Sequence, residues 1–118
     1  MDNSFVIYHN KRCSKSRNAL EIIHNKNITP LVIEYMHEHL TIQTLKNIVK
    51  MLGIVPEDLV RKKEQLYKEQ FKGHKLTSAN WLKILSKHPE LMERPIIVKN
   101  KKVIIGRDTE KLIDFLNE

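Results

Sequence analysis

Phe5-Val6-Ile7-Tyr8, a run of β-favouring residues, gives way to the polar segment His9-Asn10-Lys11-Arg12-Cys13-Ser14-Lys15-Ser16. Ala19, Leu20 and Ile23 then recur at the three-to-four spacing of a helix, which is predicted to run to about Lys26. Pro30 interrupts the chain before a second β-rich run, Leu31-Val32-Ile33-Glu34-Tyr35. The order is strand, helix, strand, and the helix is long enough to cross over between parallel strands.

Outward from that unit the pattern changes twice. In the middle, Thr41 is placed to cap a helix whose inner face is Leu45, Ile48, Val49 and Leu52, closed by Gly53. Pro56, Glu57 and Asp58 have the makeup of a helix first turn, in a short helix ending around Arg61. Thr77 or Ser78 starts another helix with Trp81, Leu82 and Leu85 inward, stopped before Pro89. Trp81 reads as core, and the mixed-charge run 61–75 as an exposed connection. The last third returns to strands: Ile96-Ile97-Val98 and Val103-Ile104-Ile105 flank residues 99–102, a length suited to a tight antiparallel hairpin. Asp108 or Thr109 caps a final amphipathic helix carrying Leu112, Ile113, Phe115 and Leu116. The order β-α-β, helical insertion at about 41–89, then β-β-α predicts an α/β, thioredoxin-like fold with a four-stranded mixed sheet. With no repeat and no linker, residues 1–118 read as one domain.

Composition narrows the class of protein. A chain of 118 residues fits one domain, and 41% hydrophobic residues with three glycines and four prolines is an ordinary globular make-up. No stretch approaches the roughly 18 apolar residues of a membrane span. Met1-Asp2-Asn3-Ser4 enters an apolar run too short for a signal-peptide core, so the expectation is a cytoplasmic protein without membrane attachment. The formal charge of +7 suits anionic partners, nucleic acid or a small oxyanion, or simply a lysine-rich solvated surface. The lysines are spread along the chain and mixed with glutamates, so composition does not choose among these.

The chain has a single cysteine, which excludes an internal disulfide. A lone cysteine in a reducing compartment is most often an inert buried residue. Cys13, however, sits between the first strand and the first helix, where free amides and the helix dipole favour an anion, and a thiolate is one. Lys11, Arg12, Lys15 and Arg17 add positive charge, as would His9 if protonated. Ser14 and Ser16 offer hydrogen bonds to the sulfur or to an oxyanion. Because position 16 is serine, the C-x-x-C dithiol is absent, and any disulfide chemistry borrows a thiol from outside.

Tyr8-His9-Asn10 with Cys13-Ser14-Lys15-Ser16-Arg17-Asn18 resembles the active-site loop of the glutaredoxin-linked arsenate reductase family. Three further segments resemble that family in order: Leu59-Val60-Arg61-Lys62, His88-Pro89 through Arg94-Pro95-Ile96-Ile97-Val98, and Ile105-Gly106-Arg107. The resemblance implies that Cys13 is the catalytic nucleophile and that Arg61, Arg94 and Arg107 surround the oxyanion. His9, Asn10, Ser16 and Arg17 then support the loop, and Pro95 follows a cis bond facing the cysteine. It also implies arsenate or a similar small oxyanion as substrate, glutathione as co-substrate, glutaredoxin as partner, and no bound cofactor or metal. Taken singly, each arginine would pass for a solvated surface residue. Guanidinium forks nonetheless suit tetrahedral oxyanions. This chain departs from the family in having Lys11 where proline is common, and longer members extend past the position of Glu118.

Two other functions remain open. A glutathione-dependent thiol oxidoreductase would need Cys13 but not all three arginines. A regulator binding RNA polymerase, like the Spx branch of the superfamily, would use a C-x-x-C switch that Ser16 removes. His37-Glu38-His39 lacks the spacing of a helical metal site, and His24, His74 and His88 read as surface or capping residues.

Overall fold

In the computed structural model, residues 5–118 are described; the Met1-Asp2-Asn3-Ser4 start, read above for targeting, lies outside them. The chain falls into two compact units: residues 5–38 with 94–118, and His39–Glu93, which contains the stretch read as the helical insertion.

The first unit is built on strands β1 (Phe5–His9), β2 (Leu31–Glu34), β3 (Ile96–Lys99) and β4 (Lys102–Ile105) in the order β2-β1-β3-β4. β1 runs parallel to β2 and antiparallel to β3, which is antiparallel to β4. Helix α1 (Ser14–Asn25) makes the crossover between the parallel pair, and α4 (Thr109–Asn117) follows β4. This is the mixed sheet and thioredoxin-like order that the hydrophobic pattern predicts. The hairpin turns through Asn100, whose φ of 56° is a left-handed conformation that asparagine tolerates better than most residues.

Alternation along β1 sets the core. Phe5, Ile7 and His9 are buried on the strand while Val6 and Tyr8 are only partly so. Phe5 and Ile7 pack with Ile97, with Ala19 and Ile23 of α1, and with Leu112, Phe115 and Leu116 of α4. Each large apolar side chain so buried stabilises the unit by about 1.5–3 kcal/mol before conformational entropy is set against it. His9 continues the same face past the apolar part of the strand, and the cysteine loop begins there.

The second unit contains α2 (Ile42–Leu52) and α3 (Ser78–Lys87), with 3-10 turns at Pro56–Leu59 and Pro89–Leu91. Leu45, Ile48, Leu59, Trp81, Leu85 and Leu91 are buried in it. Gly53 ends α2 at a φ of 70°, where a side chain would be strained. The run 61–75 is not plain connection: Tyr67–Phe71 forms a π-helical turn. The Tyr67 ring stacks on Trp81 at 6.3 Å, and Phe71 lies tilted against Trp81 at 5.9 Å. Those aromatic contacts across the chain order a segment whose local charge pattern looks like loop.

Candidate active site

Cys13 occupies the N-cap of α1 with extended backbone (φ −98°, ψ 123°) and closes no side-chain cap bond. Its N–H donates to the Asn10 carbonyl at 2.9 Å, which bends the loop back after β1. The Asn10 side-chain oxygen accepts the Arg12 N–H at 3.0 Å. Arg17, one turn into the helix, donates from its guanidinium to the Lys11 carbonyl at 2.9 Å. Arg17 thus braces the loop from outside, and Lys11 holds its place through its backbone although the loop lacks proline there.

Beneath the loop lies a buried polar contact. Ser16 is fully buried and shares a hydrogen bond of 2.7 Å between its Oγ and His9 Nδ1. The same oxygen accepts the Asn10 N–H at 3.0 Å. The Ser16 hydroxyl is therefore committed to the strand end and does not serve the sulfur, contrary to the expectation from sequence. His9 also departs from that expectation. Burial lowers its pKa; Glu34 raises it and Arg17 lowers it, and the net shift is downward. Neutral pH therefore favours an uncharged imidazole, and His9 works as a post under the loop more than as a local cation.

The surroundings shift the thiol toward its anion. Partial burial pushes its pKa up, but a hydrogen bond from Arg94, the Ser16 and Lys15 amides and the Arg94 charge outweigh that, leaving it below the ordinary cysteine value. Arg94 contributes most to the lowering, and the first-turn amides that a neutral thiol does not satisfy add to it by favouring the thiolate.

Sheet register explains how Arg94 and Arg107 come near. Tyr8 pairs with Ile96, and Ile96 with Ile105. The end of β1, the start of β3 and the end of β4 therefore share one end of the sheet. The loop with Cys13 leaves that end, Arg94-Pro95 enters it, and Gly106-Arg107 exits it. The Arg94–Pro95 bond is cis. The Gly106 N–H donates to the Pro95 carbonyl at 2.7 Å, tying the two arginine segments together. A side chain at Gly106 would meet the end of the Ile97 side chain and oblige it to shift. Arg94 Nε is buried without a hydrogen-bond partner among the described residues. A donor left unsatisfied beside a thiolate suits an oxyanion that would take its hydrogen bond.

Arg61 belongs to the second unit. Its N–H donates to the Leu91 carbonyl at 2.6 Å and its guanidinium pairs with Glu64 at 3.2 Å, while its Nε is buried and also without a partner among the described residues. Sequence reasoning missed the roles of Glu34, whose charge bears on His9, and of Gly106. A carboxylate at the end of the second strand was a visible cue for the first, and a glycine directly before Arg107 for the second.

Known proteins resemble this chain over nearly its whole length. The chain is 37% identical over 115 residues to the arsenate reductase of Haemophilus influenzae, covering 96% of this chain and 99% of that protein. It is 33% identical over 115 residues to an Escherichia coli arsenate reductase, covering 97% of this chain and 82% of the longer relative. The structure of an arsenate reductase from Vibrio cholerae superposes with a TM-score of 0.90 at 37% identity, covering 97% of this chain and 98% of that one. The sequence profile of the ArsC family matches residues 8–115, from the end of β1 into α4, and with the cysteine loop and both arginine segments inside that span the chain belongs to the ArsC family.

Proposed function

We propose that this protein is an arsenate reductase that uses the Cys13 thiolate as nucleophile and draws its electrons from glutathione and glutaredoxin. The observation that carries the reading is the Cys13–Arg94 pair. A thiol held toward its anionic form at a helix N-terminus is hydrogen-bonded to an arginine that keeps a second, unsatisfied donor. The names of the similar proteins support arsenate as the oxyanion.

The chemistry follows from the groups present. Arg94 and Arg107 bind the tetrahedral oxyanion, and the thiolate attacks arsenic; an As–S bond forms and one oxygen leaves as water. Fixed guanidinium donors stabilise the charge that builds on the oxygens during attack. Glutathione then displaces a second oxygen as water. The glutaredoxin thiolate takes the glutathione sulfur, the electron pair of that As–S bond stays on arsenic, and As(V) becomes As(III). Hydrolysis of the remaining bond releases arsenite and restores Cys13. The external thiols fill the place of the second cysteine that this chain lacks. No metal or bound cofactor enters the scheme. The family resemblance implies a role in turnover for Arg61 as well. Among the described residues no helix is long and apolar enough to cross a membrane. We assign the protein to the cytoplasm because the reaction consumes reduced glutathione.

The test is arsenate-dependent NADPH oxidation in a coupled assay with glutathione, glutaredoxin and glutathione reductase. Turnover above a protein-free blank that vanishes in Cys13→Ser is the expected result. No turnover, with thiol exchange at Cys13 intact, would instead establish the thiol oxidoreductase.

A further inference from the structure

A concavity opens beside the cysteine loop, within the same unit. It is a cleft of about 170 Å³ at the paired ends of β1 and β2, where His9 lies opposite Glu34. Lys11 and Arg12, the two residues before Cys13, line one side of it, and Glu34, Met36 and His37 the other. The Lys11 and Arg12 side chains have no hydrogen-bond or ion-pair partner among the described residues, nor does the Glu34 carboxylate, which acts on His9 through its field. A purely basic cleft would suit any anion. This one sets two cationic side chains and a carboxylate around a space sized for one amino-acid-like group, with Met36 as an apolar wall.

Opposed, unpaired charges of both signs match a zwitterion: carboxylate toward Lys11 and Arg12, ammonium toward Glu34. We propose that this cleft seats the amino-acid end of the incoming thiol, so that a peptide thiol bearing both a carboxylate and an ammonium is selected over a neutral one. The inference deepens the proposed function and rests on its use of an external thiol. The cleft adjoins the nucleophile through the chain itself, because Arg12 precedes Cys13 and the Cys13 N–H is bound to the Asn10 carbonyl. Holding one end of the thiol there shortens the search of its sulfur for the cysteine-bound group.

The experiment needs no arsenate. Cys13 is first converted to its mixed disulfide with thionitrobenzoate. A thiolate then attacks the Cys13 sulfur: one S–S bond forms, the old one breaks, and the electron pair leaves on thionitrobenzoate, whose absorbance gives the rate. Glutathione, N-acetylglutathione (which lacks the ammonium) and 2-mercaptoethanol are compared on the parent and on Glu34→Gln, each rate referred to the thiolate present. The parent should favour glutathione over N-acetylglutathione by about two- to fivefold, the range of a partly exposed ion pair. Glu34→Gln should lower the glutathione to 2-mercaptoethanol ratio by a similar factor and erase the preference for the ammonium.

The sign is decisive. Glutathione in its thiolate form carries net negative charge, so mere repulsion by Glu34 predicts a higher ratio in Glu34→Gln. A higher or unchanged ratio, or a parent indifferent to N-acetylation, overturns the proposal. The comparison of thiols on the parent stands even if the variant fails to fold. If the preference holds but the coupled assay shows no arsenate turnover, the arsenate assignment falls and the thiol site remains. If arsenate turns over without the preference, the reverse is true.

Discussion

Four helices begin in the same backbone conformation, but one of them ends differently at the N-cap. Thr41 accepts the Thr44 N–H at 3.1 Å at the start of α2, and Thr77 accepts the Asn80 N–H at 3.1 Å at the start of α3. Asp108 accepts the Lys111 N–H at 3.1 Å at the start of α4. At α1 the equivalent position is Cys13, which closes no such bond. An oxygen cap satisfies an orphan amide and stabilises its helix by roughly 0.5–2 kcal/mol. The α1 end forgoes that, and its amides instead lower the pKa of a nucleophile. The contrast separates helix ends that serve stability from the one that serves chemistry, and each can be perturbed alone.

Cys13→Ser should have the largest effect on activity and a small one on stability. Without the thiolate, arsenate turnover should fall to the blank, while the serine oxygen, a better cap than sulfur, should hold stability or raise it by up to about 2 kcal/mol. A marked loss of stability in thermal unfolding would mean that the sulfur is chiefly a packing group and would break the comparison. Next comes Arg94. Charged hydrogen bonds are worth roughly 1.5–3 kcal/mol each, so Arg94→Ala should lower kcat/KM for arsenate about ten- to a hundredfold. Arg94→Lys keeps the charge but loses the fork, and should also turn over poorly. Parent-like turnover in the lysine variant would reduce Arg94 to a source of field. The smallest effect belongs to the opposite member of the pair. Thr41→Ala should cost about 1 kcal/mol of stability, read as a lower denaturant midpoint at unchanged slope, and leave arsenate turnover alone.

Much of this was legible in the chain because the signals are local. Alternation in Phe5-Val6-Ile7-Tyr8, the spacing of Ala19 and Ile23, and the caps at Thr41 and Gly53 each act within a few residues of where they are read. Cys13 could be placed at a helix start on the same grounds. Features decided by distant partners were not legible. The π-helical turn at Tyr67–Phe71 depends on Trp81, and its own sequence looks like a charged loop. From sequence Ser16 reads as a support of the loop and a donor to sulfur or an oxyanion; the parity of β1 turns His9 inward, and the serine hydroxyl bonds there instead of to the sulfur. The approach of Arg94 and Arg107 to the end of β1 follows from the registers of two strand pairs, which no single segment encodes. Family resemblance supplied those arginines; periodicity alone would have left them on the surface.

The account turns on whether the uncapped end of α1, with Arg94, makes Cys13 an anion in the working pH range. The most direct measurement is the rate of Cys13 alkylation by iodoacetamide against pH, in the parent and in Arg94→Ala. Because the thiolate is the reactive form, the rate should rise with pH through the thiol pKa. The parent midpoint should lie well below the roughly 8.5 of a free cysteine, and the midpoint in Arg94→Ala should move upward, since both the hydrogen bond and the charge of Arg94 favour the anion. A parent midpoint at or above the free value would contradict the activated nucleophile, and with it the reading of this helix end as the seat of the chemistry.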